Sequence, residues 1–227
     1  MIDRPRIQGS KMYPFKNLHR VYCAGPLFNQ IERDEMVRIA DVLVEEGFVP
    51  FVPHRDGMEF AKVQPYLVRN GHNPAWVGHL LHEAVFALDA YQVMIGCGSV
   101  VCNLNGRVPD EGAVAESAMA WAWGKPLVLY KDDVRSKIAG RDNPLVVGMT
   151  CFEAVHRIED IVDCLREKIA EMVPDPEVEY PCPPHLRDTL LRGERLWLQL
   201  AELGEERPSP QVAEIILDLF GSTKMPI

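Results

Sequence analysis

The stretch Val21-Tyr22-Cys23-Ala24-Gly25-Pro26, read with residues 31 to 52 behind it, decides the fold. A short apolar run stopped by Gly-Pro is a buried strand ending in a turn. Between residues 31 and 46 the apolar Met36, Ile39, Ala40, Leu43 and Val44 return at helical spacing, and Gly47 supplies the stop. Residues 48 to 52 are strand-like again. Strand, helix, strand is the unit from which parallel sheets are built.

Outward from that unit, residues 53 to 80 are rich in Pro, Gly, His and Asn and read as a long irregular excursion of the kind that supplies a lid. A helix over residues 77 to 95 leads into Ser99-Val100-Val101-Cys102-Asn103-Leu104, a third strand. The turn from Asn105 to Gly112 follows, then an alanine-rich helix over 113 to 123, whose alanines let it approach its neighbours closely. Residues 126 to 130 read as a fourth strand, 151 to 156 as a fifth, and 158 to 172 as a helix. The alternation predicts an α/β fold, a flavodoxin-like (Rossmann-like) parallel sheet of five strands with helices on both faces. Ligands of such sheets sit at the carboxyl ends of the strands near the switch point. Prolines 174, 176, 181, 183 and 184 mark a boundary, so residues 1 to 173 are expected to be the catalytic domain. Residues 174 to 227 are then a Pro-rich linker and a helical C-terminal extension, with helices over 186 to 203 and 211 to 220. Trp197 and the leucines around it read as packing, in a cover or an oligomer contact.

Composition narrows the partners. Among 227 residues, 47% are hydrophobic and 25% charged, enough for one globular core with appended structure. A formal net charge of -9 argues against nucleic acid and anionic membranes, because affinity for a polyanion rests on Lys and Arg. The first 20 residues scatter charges among few apolar residues, and no apolar run approaches a bilayer span, so a soluble cytoplasmic protein is expected. Six spread cysteines without a C-x-x-C pair read as reduced and mostly structural.

Three segments of chemical interest meet at one sheet edge in this arrangement: Tyr22-x-Ala24-Gly25-Pro26, Asp89 on the helix before the third strand, and Asp110-x-Gly112-x-x-x-Glu116 after it. Singly each has an ordinary reading, since a Gly-Pro is usually a turn and an acid in a first helical turn complements the dipole. Together with Tyr22-Cys23-Ala24-Gly25-Pro26-Leu27-Phe28, Pro109-Asp110-Glu111-Gly112, Gly124-Lys125-Pro126 and Asp142-Asn143-Pro144-Leu145, they resemble the nucleoside 2-deoxyribosyltransferase family over roughly residues 20 to 170.

The resemblance implies roles. Glu116 matches the nucleophile that attacks C1′ of a nucleoside, and Tyr22 the tyrosine that orients it. Asp89 matches the acid that protonates the departing nucleobase. Asp110 matches the acid near the sugar 5′-hydroxyl, and Asn143 the residue that reaches the same hydroxyl from a neighbouring subunit. Gly25, Pro26 and Gly112 belong to the substrate-binding turns. No cofactor and no metal is implied. The partners are a small nucleoside and a nucleobase, in a homo-oligomer with shared active sites. The chemistry suits these residue types, since a carboxylate beneath an oxocarbenium-like carbon can trap it covalently. Such a nucleophile must be ionised, which a place near a helix N-terminus favours, while the donor needs a raised pKa, which Phe86, Ala87 and Leu88 would promote.

The chain departs from the family pattern at Gly98, where an acid is common, and at Ser117-Ala118, where an apolar residue and Gly usually follow the nucleophile. Rival readings are a nucleoside 5′-monophosphate N-glycoside hydrolase and a non-catalytic nucleotide-binding module. Hydrolases of that kind carry a hydroxyl residue where this chain has Asp110, whose charge would repel a phosphate. A metal enzyme built on His79-x-x-His82-Glu83 is a more remote alternative, because the spacing is not that of a zincin.

Overall fold

A computed structural model describes residues 7–8, 11–58, 60–106, 109–133, 142–172, 179–204, 207 and 209–222. Its main elements in chain order are Arg20–Ala24 (β1), Gln30–Glu45 (α1), Val49–Phe51 (β2), Phe60–Arg69 (α2), Pro74–Tyr91 (α3), Ser99–Asn103 (β3), Glu111–Ala122 (α4), Leu127–Tyr130 (β4), Ile161–Glu171 (α5), Arg187–Glu202 (α6) and Ser209–Phe220 (α7). They fall into two compact units, one of residues 13–53 and 93–180, the other of residues 1–12, 54–92 and 181–227.

The first unit holds a parallel sheet in the order β2-β1-β3-β4, the arrangement expected of a flavodoxin-like α/β fold. Strand alternation sorts its side chains. Val21, Cys23, Val101 and Val128 face α1 and α5 in one buried cluster with Met36, Ile39, Leu43, Ile161 and Leu165. Tyr22, one residue out of phase, points to the other face, where its ring stacks on Phe51 at 5.6 Å. Helix α4 packs against β3 and also touches β1 and β4. Its buried side is made of Ala113, Ser117 and Ala120, small residues that allow that close approach.

The expected fifth strand is reduced to a single parallel bridge between Tyr130 and Val155. Cys151 and Phe152 adopt left-handed conformations, φ of 56° and 69°, so the chain is turning where an extended run was expected. Gly98 lies just ahead of β3, where its N–H donates to the carbonyls of Asn17 and Arg20 at 3.0 and 2.9 Å. A Cβ there would meet the Asn17 carbonyl oxygen at 2.3 Å, so the departure from the family pattern at Gly98 is a close backbone crossing.

The second unit is mostly helical and corrects the reading of residues 53 to 80 as irregular. A helical turn at Pro53–Asp56 opens the segment, α2 follows, and α3 begins at Pro74 with Asn73 as its cap. Proline at the start of a helix is favourable, so the same residues that read as loop punctuation are helix starts here. Val63 and Leu67 of α2, Val77, Leu80, Leu81, Ala84 and Leu88 of α3, Leu196 and Leu200 of α6, and Val212, Ile216 and Phe220 of α7 form one core. The extension and the excursion thus fold together. Arg207 joins them directly, donating to the carbonyls of Asp56 and Gly57 while its guanidinium lies 5.7 Å from the Trp197 ring. At its far end α3 widens into a π-helical segment, Gln92–Gly96, before β3. The Pro-rich boundary falls partly on residues 174–178, which lie outside the described residues, as do Arg107 and Val108 of the turn before α4. Among the described residues no helix is long and apolar enough to cross a membrane.

Candidate active site

Strand β1 presents Tyr22 toward the face covered by α4, and α4 returns Glu116 toward it. The Tyr22 hydroxyl donates to Glu116 Oε1 at 2.6 Å, a short bond of the charge-assisted kind. The tyrosine is fully buried and Glu116 half-buried, so the phenol is fixed. Glu116 is in the second turn of α4, six residues after the cap. Dipole influence fades within the first turn, so the helix N-terminus does less for Glu116 than the sequence reading expected, and Tyr22 is its direct partner.

Asp110 occupies the N-cap of α4, where its Oδ1 accepts from the Ala113 N–H at 2.7 Å. One of its two carboxylate oxygens is therefore engaged. Gly112 makes room for that cap, since a Cβ there would come within 3.2 Å of Asp110 Oδ1. Gly25, leaving β1, is constrained in the same way: a Cβ would meet Met36 Sδ at 2.5 Å and Asn103 Cβ at 3.0 Å. Ser117 is buried, and its hydroxyl donates to the Ala113 carbonyl at 2.8 Å. Asn143 is exposed and caps the short helix Pro144–Val147, accepting from the Leu145 N–H at 3.0 Å.

Asp89 belongs to the helical unit, on the last turn of α3. Its outline is only partly covered, yet burial of the carboxyl pushes its pKa from 3.8 up to about 7. His79 and His82 have separate partners, Glu83 Oε1 at 3.2 Å and the Gly78 carbonyl at 2.7 Å.

The sequence reading missed a polar network at the carboxyl ends of β3 and β4. Asn103 donates to Glu35 Oε2 at 2.7 Å, and Asn105 donates to Glu35 Oε1 at 2.9 Å and to Asp132 Oδ1 at 2.8 Å. Asn105 Oδ1 accepts in turn from the Asp132 N–H at 2.9 Å, so all sides of this buried amide are used. Beside it the Tyr130 phenol is pushed up to about 12, first by burial and then by the Asp132 carboxylate. Lys131 completes the network with an ion pair to Asp142. The signal was present in the asparagines that end an apolar strand and in a lysine directly after another, a place where ligands of parallel sheets gather.

A parallel α/β scaffold with a tyrosine-held carboxylate on the helix after its third strand defines the class. The chain belongs to the nucleoside 2-deoxyribosyltransferase family, whose model matches residues 21–151, more than half of its length. The family is one of glycosyltransferase-type enzymes acting on nucleosides and nucleobases. A solved structure described as a conserved protein from Enterococcus faecalis V583 is similar over 66% of this chain and 98% of its own, with 19% identity and a TM-score of 0.46. No curated protein matches.

Proposed function

We propose that the protein cleaves the N-glycosidic bond of a nucleoside through a covalent glycosyl-enzyme ester on Glu116 and passes the sugar to a second nucleobase or to water. The observation that carries this reading is the 2.6 Å hydrogen bond from the Tyr22 hydroxyl to Glu116, which holds the carboxylate in place. In the first step a Glu116 carboxylate oxygen bonds to C1′ as the C1′–N bond breaks. The bonding pair goes to the base nitrogen, and Asp89 gives the leaving base a proton. In the second, a nitrogen of the acceptor base, or a water oxygen, attacks C1′, the ester bond breaks, and Asp89 takes a proton back. This is the double displacement of retaining glycosidases with the roles of two carboxyls held apart by environment.

Asp110 and Asn143 bind the sugar 5′-hydroxyl in this reading, with Gly25, Pro26 and Gly112 shaping the turns around the sugar. The negative charge of Asp110 favours a nucleoside over its 5′-monophosphate. The active form is a homo-oligomer in which Asn143 serves a neighbouring subunit. The experiment is to incubate wild type and Glu116→Gln with a deoxynucleoside, with and without a free second base, and to analyse products and intact protein mass. Wild type is expected to exchange bases and to carry a trapped sugar ester on Glu116. A Glu116→Gln protein that folds normally yet keeps more than roughly a tenth of the rate would overturn the assignment, because no neighbour can replace a nucleophile.

A further inference from the structure

Lys131 is a buried cation for which the reaction above has no use. Only 2% of its side chain is exposed, and its backbone is fastened on both sides: its N–H donates to the Val155 carbonyl at 2.9 Å, and its carbonyl lies 2.6 Å from His156 Nδ1. Burying an ammonium is costly unless it is paired. Among the described residues its ammonium has two carboxylate partners, Asp142 in direct contact and Asp133 Oδ1 at 3.7 Å. Each partner belongs to a different connection. Asp142 directly precedes Asn143, while the other oxygen of Asp133 accepts from the Gly106 N–H at 2.7 Å, on the chain that runs from β3 to Asp110.

We propose that Lys131 is a positioning residue for the sugar end of the substrate: it holds, through Asp142 and Asp133, the two connections that carry Asn143 and Asp110. The inference rests on the reading of those two residues as partners of the 5′-hydroxyl. A compact ammonium with three donors can serve both carboxylates at once from the end of β4, where an apolar side chain would leave them to repel each other. It touches no reacting atom, so its loss acts on recognition of the hydroxyl and leaves the chemistry at C1′ alone.

The test compares kcat and KM for 2′-deoxyadenosine and 2′,5′-dideoxyadenosine, or for thymidine and 5′-deoxythymidine where only pyrimidines are accepted. Wild type is expected to favour the hydroxyl-bearing substrate by roughly tenfold or more, the worth of a hydrogen bond to a charged acceptor. Lys131→Met, of similar volume, should lose most of that preference through a raised KM for the hydroxyl substrate, while kcat on the 5′-deoxy substrate stays within about twofold. Asp142→Asn, at a more exposed position, should shift the preference the same way and decides the matter where Lys131→Met does not fold. Equal slowing of both substrates by these variants would make Lys131 purely structural and overturn the proposal. A wild type without the preference, or an Asn143→Ala protein that keeps it in full, would instead show that the sugar-end reading itself had failed, and the proposal with it.

Discussion

In the proposed reaction the carboxyl that gives up a proton to a nucleobase at neutral pH has to be kept from ionising too early, and burial would do this for Asp89. Its raised pKa of about 7 implies that kcat/KM falls as pH rises through that value, as the donor form disappears. Asp89→Asn should remove that alkaline limb and slow release of ordinary bases, while a sugar whose leaving group needs no proton keeps reacting. Linkage gives the same residue a signature in stability. The folded-state pKa lies above the unfolded one, so the unfolded chain sheds its proton first, and stability is lost from about pH 4 up to about pH 7. Asp89→Asn should therefore melt close to wild type below pH 4 and above it beyond pH 7, by a few kcal/mol at most. A pH–rate profile and a pH series of melts check both. The partnership of Tyr22 and Glu116 was legible because the residue types and their order along the chain matched a family pattern. The Lys131 ion pair was not, since it depends on where two loops return to the sheet, and nothing in a lysine's neighbours along the chain records that.

Elements show why some of the fold was readable and some was not. Strands β1, β3 and β4 are apolar runs closed by turns or polar residues, so hydrophobic pattern alone found them. The fifth strand failed because Cys151 and Phe152 take left-handed backbone conformations that apolar pattern does not announce. Residues 53 to 80 failed because proline at a helix start resembles proline in a loop. Asp110 caps helix α4 and, in the proposed reaction, is also the sugar-end acid, a double duty that can be tested. Serine also caps helices well, whereas alanine does not. Asp110→Ser and Asp110→Ala should both lower turnover of nucleosides relative to their 5′-monophosphates, because both remove the repelling charge. Only Asp110→Ala should also destabilise the protein appreciably, by about 1 kcal/mol. Melting curves and kcat/KM on one matched nucleoside and monophosphate separate the two effects. A wild type that already prefers the monophosphate would put the hydrolase reading first.

For the molecule as a whole, the proposed reading requires more than one chain to make one site. Asn143 is exposed, it caps a helix of four residues, and two residues on stands Leu145, which is 85% exposed. Phe152, at 68% exposed, closes the same turn, its N–H donating to the Val147 carbonyl at 2.8 Å. Large apolar side chains held outward on a short, hydrogen-bonded turn are costly in water and fit a contact between subunits. If Asn143 serves a neighbouring chain, assembly and activity must be lost together. Sedimentation at assay concentration should show wild type as an oligomer. Leu145→Glu with Phe152→Glu should shift it toward monomers and lower nucleoside turnover in proportion, with the fold of each chain kept. Dilution of wild type below its dissociation range should reproduce the loss without any substitution. A monomer with full activity at either concentration would mean that each chain completes its own site and that Asn143 acts, if at all, within it.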